Sequence, residues 1–291
     1  MIRFSLSHQQ RQMLKRFLRN KVGIFGLIIV IIITFTAILA PIVTPYDPAR
    51  QFSDGLTITG MPKGPGSEFR LGADLLGRDL LSRLVYGARV SMLIGLVANG
   101  VALFIGTLLG IFAGYYQGKI GAAIMRFTDL MMAFPALLLA IALTAILKPS
   151  MWIVALVIAL VNWVQIARVV YSQVLALRQS EFIEAATAIG AGTGRILFRH
   201  ILPHLLPTLL VWGTLGISTT VLLESTLSFL GVGVRPPTPS WGGIINESQT
   251  YFMDAPWLVV FPGLAILLTS LAFNLVGDAL RDCFGRDGGA V

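Results

Sequence analysis

Long apolar runs separated by short polar segments dominate the pattern of this chain. Six runs of roughly twenty residues occur, at about 22–43, 91–115, 123–147, 151–171, 205–230 and 257–277. A helix of about 20 apolar residues is long enough to cross the hydrocarbon core of a bilayer. The pattern therefore predicts an all-α integral membrane protein with six transmembrane helices.

The composition agrees with this prediction, and it changes the interpretation of the net positive charge. The chain is 55% hydrophobic and only 12% charged, whereas soluble domains carry about 25% charged residues. Its net charge of +8 would suggest a nucleic-acid partner in a soluble protein. In a membrane protein the same excess is expected in cytoplasmic loops, so no nucleic-acid partner is predicted. The single cysteine, Cys283, excludes an internal disulfide.

The distribution of basic residues predicts the orientation. Residues 1–21 are basic and contain no acid, and the apolar run that follows is too long for a signal peptide, so we expect an uncleaved first span. The two short loops predicted outside hold only Lys148 and Arg235 among the basic residues. Six spans then place both termini in the cytoplasm. We divide the chain into residues 1–90, with the first span and a long external loop, and residues 91–291, a five-helix core.

The second apolar run carries a stripe of glycines. Gly106, Gly110, Gly114 and Gly118 recur every four residues and share one helix face. Small residues let membrane helices approach closely and pack, and we favour that interpretation. The alternative is that the absence of side chains along the stripe leaves an open space through which a substrate passes.

A polar segment, residues 181–203, separates the fourth and fifth apolar runs; we call it the EAA segment. Ser180 can cap a helix whose first turn holds Glu181 and Glu184, where the helix dipole favours carboxylates. Gly190 and the following glycines end that helix.

A second short helix is expected after these glycines. It carries Arg195 and Arg199 on one face, and Pro203 closes it. We expect the two short helices to lie roughly at a right angle to each other.

The spacing of Glu184-Ala185-Ala186, Gly190 and Leu202-Pro203 resembles the EAA loop of ABC importer permease subunits. Where that pattern usually has isoleucine, this chain has His200, with Ile201 beside it. The resemblance implies a cytoplasmic coupling loop, residues 172–204, that sits in a groove of an ATPase subunit. The residues implied in this contact are Glu181, Glu184, Ala185, Ala186 and Gly190. The alternative is a plain amphipathic connecting loop facing lipid headgroups.

Three further stretches, at about 71–91, 225–248 and 261–282, resemble the C-type permease subunit of the dipeptide/oligopeptide/nickel family. The first predicts an amphipathic surface helix from about Arg78, with Leu80, Leu81, Leu84 and Val85 turned to the membrane. It would either contact a docked binding protein or act as a lid on the bundle. The second predicts irregular backbone that folds back over the mouth of the bundle.

The resemblance covers nearly the whole chain after the first twenty residues, and it implies a type I ABC importer permease in the bacterial inner membrane. The implied partners are a homologous second permease subunit, two P-loop ATPase subunits that use ATP and Mg²⁺, and an external substrate-binding protein. The implied cargo is a di- or oligopeptide, with nickel, glutathione and glycosides as alternatives.

The chain itself shows no enzyme motif. Gly118-Lys119 lacks the rest of a P-loop, and no catalytic triad or zinc motif occurs. We therefore expect a non-enzyme with no catalytic residue, metal or cofactor of its own.

Glu224 is the one carboxylate well inside an apolar run. Because charges are costly in a membrane, such a residue is a candidate for function, and Glu224 could line the substrate pathway. Alternatively it pairs with Arg83 or Arg89, or bonds to the proline-rich loop. An ion-coupled secondary transporter, which would use Glu224 as its ion site, is the more distant alternative function.

Five other polar residues inside the runs are expected to hold helices together. Asn99, Asn162 and Asn274 are predicted to form hydrogen bonds between helices, and Arg126 and Asp129 are predicted to form a local ion pair.

Overall fold

A computed structural model describes residues 8–148 and 150–285, and within these ranges the chain is helical with no extended strand. The first half contains α1 (His8–Arg19), α2 (Lys21–Ile38), α3 (Ala40–Val43), α4 (Leu80–Tyr116), α5 (Gly118–Met132) and α6 (Ala136–Ile146). The second half contains α7 (Met151–Arg178), α8 (Glu181–Ala188), α9 (Thr193–Arg195), a π-helical segment (Ile196–Ile201), α10 (Leu202–Phe229), α11 (Trp241–Ser248) and α12 (Trp257–Gly285). The predicted all-α class is confirmed.

Five helices among the described residues are long and apolar enough to cross a membrane. They are α2, α4, α7, α12 and the continuous helix Thr193–Phe229. The sixth predicted span is a broken pair, since α5 and α6 are bent by 86°. The prediction of one uninterrupted helix over 123–147 is therefore wrong. The break lies at Pro135, which lacks a backbone N–H and disfavours helical geometry in the residue before it.

The glycine stripe packs α4 against α7. A Cβ atom on Gly106 or Gly110 would lie 2.7 Å from the backbone oxygen of Trp163 or Ala167, respectively. On Gly114 it would lie 2.7 Å from Val174 Cβ. Packing is thus confirmed for these three glycines. Gly118 is not part of the face, because it lies past the end of α4 with φ +49° and open space around it.

The predicted surface helix from Arg78 is the first part of α4. Asp79 caps α4 by accepting a hydrogen bond from the Ser82 backbone N–H at 2.8 Å. Leu80 is fully buried with Ile244 of α11 and with Leu258 of α12, and Val85 is buried too. The prediction that Leu80 and Val85 face the membrane is therefore wrong, because the chain itself covers them, whereas Leu81 and Leu84 are half-buried.

The two ends of the bundle differ, and we name them by their residues. The EAA end carries α8 and the π-helical segment, and the loop end carries residues 44–79 and 230–256. Between them, α7 supplies buried residues such as Val154, Ile158 and Val170 to the main hydrophobic core, where it packs against α4 and α10. α12 packs on α10 and α2.

The second short helix predicted in the EAA segment is not separate. α9, the π-helical segment and α10 form one continuous helix, Thr193–Phe229. Pro203 does not end it: the Leu202 N–H bonds to Leu197 O, five residues back, and the wider π turn accommodates the proline ring. The predicted coupling loop 172–204 is correspondingly shorter, since its ends lie in α7 and α10.

Candidate functional site

The short helix α8 begins directly after α7 at the EAA end. Ser180 holds the N-cap position with φ −80° and ψ 145°. Its hydroxyl, however, donates to Leu177 O in the preceding helix. The predicted side-chain cap by Ser180 is therefore wrong, because the hydroxyl group is already used by α7.

Gly190 ends α8 as predicted, and its conformation explains why. Its φ is +82°, and an added Cβ would meet nothing within 4 Å, so glycine is required by backbone conformation and not by space. The Gly190 and Ala191 N–H groups bond to the carbonyl oxygens of Thr187 and Ala186, both at 3.0 Å. This Schellman motif leaves Ile189 projecting outward, 86% exposed.

The two faces of α8 divide the predicted coupling residues. Ile183 and Ala186 are buried, and Ile183 belongs to the same core cluster as Ile196 and Ile201 of the π-helical segment. Glu181, Glu184 and Ala185 lie on the exposed face, and Gly190 lies just past its end. Ala186 therefore fixes α8 to the bundle and is not available at its outer surface.

The exposed apolar residues of this end were not singled out from the sequence. Ile189 is joined by Phe198, 61% exposed, while Phe182 stacks on His204 with ring centroids 4.9 Å apart. Arg195 and Arg199 are also exposed. The EAA end thus presents acidic, apolar and basic groups on a rigid helical base. For the exposed apolar residues, the only indication in the sequence was an isoleucine beside a helix-ending glycine.

Glu224 lies near the loop end of α10 and is fully enclosed by the chain. It is 0% exposed, and it accepts hydrogen bonds from Ser91 Oγ at 2.7 Å and Ser228 Oγ at 2.8 Å. Ser228 Oγ in turn accepts from the Val234 N–H of the proline-rich loop, at 3.3 Å. Neither predicted arginine partner contacts Glu224. The structure therefore places Glu224 between α4, α10 and the loop.

The proline-rich loop after α10 folds back onto the bundle, as predicted. Trp241 is buried, and its Nε1 donates to Leu84 O in α4 at 3.0 Å. A Cβ atom on Gly242 would lie 2.1 Å from Ser225 O, so only glycine allows this approach to α10. The loop therefore joins α10 to α4 at the loop end.

A buried ion network holds the loop end together. Arg78 Nε lies 2.6 Å from Asp74 Oδ2, and Arg78 Nη2 lies 2.6 Å from Glu247 Oε2. Arg83 lies against the same two acids, at 3.2 Å from Asp74 and 2.8 Å from Glu247. The network connects the segment before α4 to α11.

Polar residues inside the spans connect neighbouring helices. Asn99 Nδ2 of α4 donates to Gly213 O of α10 at 2.6 Å, and Asn162 Nδ2 of α7 donates to Thr220 Oγ1 of α10 at 3.3 Å. These two predicted interhelical bonds are confirmed, whereas the Asn274 side chain of α12 forms no interhelical hydrogen bond with the described residues. Asp129, in contrast, pairs with Arg168 of α7, so the predicted pair with Arg126 is wrong.

Two protein families match this chain. Residues 106–287 match the family described as "Binding-protein-dependent transport system inner membrane component". Residues 9–58 match the "N-terminal TM domain of oligopeptide transport permease C".

Curated relatives match over nearly the full length. The chain is 44% identical over 272 residues to a dipeptide transport system permease protein of Alkalihalophilus pseudofirmus, covering 94% of this chain and 88% of the relative. It is 44% identical to a di/tripeptide transport system permease protein of Pseudomonas aeruginosa, over 91% of this chain and 88% of the relative. It is 40% identical to a glutathione transport system permease protein of Pectobacterium atrosepticum, over 94% and 89%.

A solved structure shares the fold. A chain from inward-facing conformations of the MetNI methionine ABC transporter aligns with a TM-score of 0.56 at 20% identity. The alignment covers 69% of this chain and 96% of that chain. It shows that the helical core has the fold of an ABC importer permease.

Proposed function

Since this chain belongs to the family of binding-protein-dependent transport system inner membrane components, we propose that it forms half of the translocation pathway of an ABC importer for di- or oligopeptides. It is a multi-pass inner-membrane permease subunit and works in a complex with other subunits. The observation that carries the peptide assignment is that curated relatives at 40–44% identity are named for dipeptides, di/tripeptides and glutathione, all of which are peptides. Nickel and glycosides remain the alternative cargoes.

The exposed face of α8 supports a role in coupling to ATP hydrolysis. Its first turn carries the exposed acids Glu181 and Glu184, and its other end carries Ala185 and the projecting Ile189. A short helix with an apolar tip suits the helix-in-groove mode of recognition. We assign the groove to one of two P-loop ATPase subunits, which bind ATP and Mg²⁺ in place of this chain. The EAA end then lies in the cytoplasm, together with both termini.

The remaining partners follow from the same proposal. A homologous second permease subunit completes the pathway, and a substrate-binding protein docks outside, at the loop end. The ion-coupled alternative receives less support, because Glu224 is enclosed by serines of its own chain. A coupling-ion site is expected in a cavity near the midplane.

Purification of the tagged chain from its native membrane in mild detergent tests the proposal. We expect a second six-span subunit and a P-loop ATPase to be recovered with it. In Glu184→Arg, which reverses a charge on the exposed face of α8, the ATPase and ATP-driven peptide uptake should be lost while membrane insertion remains.

Glu68→Arg is the matched control, since Glu68 is an exposed acid of the loop end. It should retain the ATPase. Normal uptake by Glu184→Arg would remove the coupling assignment, and recovery of the wild-type chain alone would favour an ion-coupled transporter.

A further inference from the structure

A groove between α7 and α10 contains two cavities that share one side chain. The first, of about 290 Å³, is lined by Asn162, Gln165, Thr219 and Trp212, together with apolar residues of α6, α7 and α10. The second, of about 420 Å³, is lined by Gln173, Thr208, Trp212 and Arg281. Because residues 173 and 208 lie near the ends of α7 and α10 that meet the EAA segment, the second cavity lies towards the EAA end. Trp212 therefore separates a mid-bundle cavity from one near the EAA end.

The α7 side of this groove carries polar residues along its length, with the apolar residues Ile166 and Val169 between them. Asn162, Gln165 and Gln173 recur at spacings that keep them near one helix face. Gln165 is exposed, whereas Trp152, Leu156 and Leu160 are exposed on a different face of α7. Polar side chains inside a membrane bundle usually face the interior or a water-filled cavity and not lipid. The polar face of α7 is therefore the face turned away from lipid.

The α10 side of the groove offers small and hydroxyl-bearing residues. Gly216 lines the first cavity and packs against Asn99, since a Cβ there would be 2.0 Å from Asn99 Oδ1. Thr219 is exposed next to it. Thr208, at the other cavity, accepts a hydrogen bond from Gln173 Nε2 at 2.8 Å, which joins α7 to α10 there.

We propose that this groove is this chain's wall of the peptide pathway, and that Trp212 is the constriction between its two cavities. The proposal rests on the proposed function and adds where the cargo passes and which groups meet it. Carboxamide side chains both donate and accept hydrogen bonds, so Asn162 and Gln165 match the N–H and C=O groups of a peptide backbone. A wall of this kind accepts peptides whatever their side chains. The lining cation, Arg281, lies only in the cavity near the EAA end, where it can meet a peptide carboxylate.

Cysteine accessibility in the assembled complex tests whether the groove is water-filled. In a Cys283→Ser background, Gln165→Cys and Thr219→Cys are compared with Leu160→Cys, an outward-facing control on α7. Membrane vesicles are treated with a positively charged methanethiosulfonate reagent. We expect the Gln165 and Thr219 variants to react with the reagent, and to react several-fold more slowly when a transported dipeptide is present. The Leu160 variant should stay unreactive. If Gln165→Cys and Thr219→Cys are as unreactive as Leu160→Cys with and without nucleotide, the groove is a dry subunit interface and the proposal fails.

Substitution of Trp212 tests the constriction. Trp212→Ala should raise ATP-independent leak of a preloaded dipeptide from proteoliposomes several-fold, while Trp212→Phe and the outward-facing control Leu222→Ala should stay near the wild-type leak. An unchanged leak in Trp212→Ala would overturn the role of this residue.

The proposed function and the proposed pathway can be rejected independently of each other. If the wild-type complex does not accumulate peptides with ATP, the proposed function fails, whereas reagent accessibility at residues 165 and 219 still decides whether the groove holds water.

Discussion

Arg83 at the start of α4 and Glu247 in α11 lie 2.8 Å apart, between Nη2 and Oε2, although 164 positions separate them in the chain. The side chain of Arg83 is only 1% exposed. Glu247 also accepts from Arg78 at 2.6 Å. Glu247 and Asp74 together neutralise two buried arginines, and Glu247 fixes α11 to the segment before α4.

Replacing Glu247 by alanine should destabilise the assembled protein. Removing one partner of a buried ion pair costs about 3–5 kcal/mol, and we expect the lower part of that range because Glu247 is 28% exposed. The measurement is the thermal unfolding midpoint of the purified complex. Glu68→Ala, which removes an exposed pair with Lys63, should leave the midpoint unchanged. Equal midpoints for both variants and the wild type would show that the network is not stabilising.

Glu224→Ala should sharply reduce the yield of assembled complex. The change leaves the hydroxyl groups of Ser91 and Ser228 without their buried acceptor, at about 1–3 kcal/mol for each unsatisfied group, and it opens a cavity. Glu224→Gln, which keeps the shape and one acceptor oxygen, should lie between alanine and the wild type. Thr226→Val is the control, since the Thr226 hydroxyl bonds only to its own helix at Leu222 O. A normal yield with impaired uptake in Glu224→Gln would instead favour the pathway role.

Gly110→Leu should prevent close packing of α4 on α7. A Cβ at Gly110 would already lie 2.7 Å from Ala167 O, and backbone cannot move aside as a flexible side chain can. Gly100→Leu on the same helix is a matched control, because a Cβ there meets nothing within 4 Å. Complex yield after size-exclusion chromatography should fall only for Gly110→Leu. Similar yields for the two variants would count against the packing stripe.

Ile189→Asp should weaken recovery of the ATPase with the permease. It places a charge on the most exposed apolar residue of the EAA end, and burial of an unpaired charge in an apolar groove is unfavourable. Co-purification of the ATPase and ATP-driven uptake are the measurements. Ile58→Asp makes the same change at a fully exposed residue of the loop end and should retain the ATPase. Undiminished recovery with Ile189→Asp would place this residue outside the contact.

Length and hydropathy predicted the spans because both are local properties. The effect of a proline on a helix could not be predicted from the residues next to it. Pro207 and Pro262 lie inside α10 and α12 without ending them, whereas Pro135 separates two helices that are bent by 86°. What differs between these sites is the packing around them, which no short stretch of sequence contains.

Contacts between residues far apart in the chain could not be predicted from the sequence either. The apolar residues Leu80 and Val85 correctly indicated that this face of the helix is shielded from water. The same sequence pattern is expected whether lipid or α11 covers the face, so it could not distinguish the two. Asp129 has Arg126 within one helical turn, yet it pairs with Arg168 of a neighbouring helix. For α8, the sequence indicated its start and its end at Gly190. The separation of buried Ala186 from exposed Ala185 required knowledge of where the helix rests.

The continuous helix Thr193–Phe229 has a mechanical consequence. Its 37 residues extend about 55 Å at 1.5 Å per residue, from the base beneath α8 to the serines around Glu224. If this helix turns about its middle as one rod, an inward displacement of one tip is an outward displacement of the other. Trp212 lies near that midpoint, so such a rotation would change the angle of its side chain more than its position.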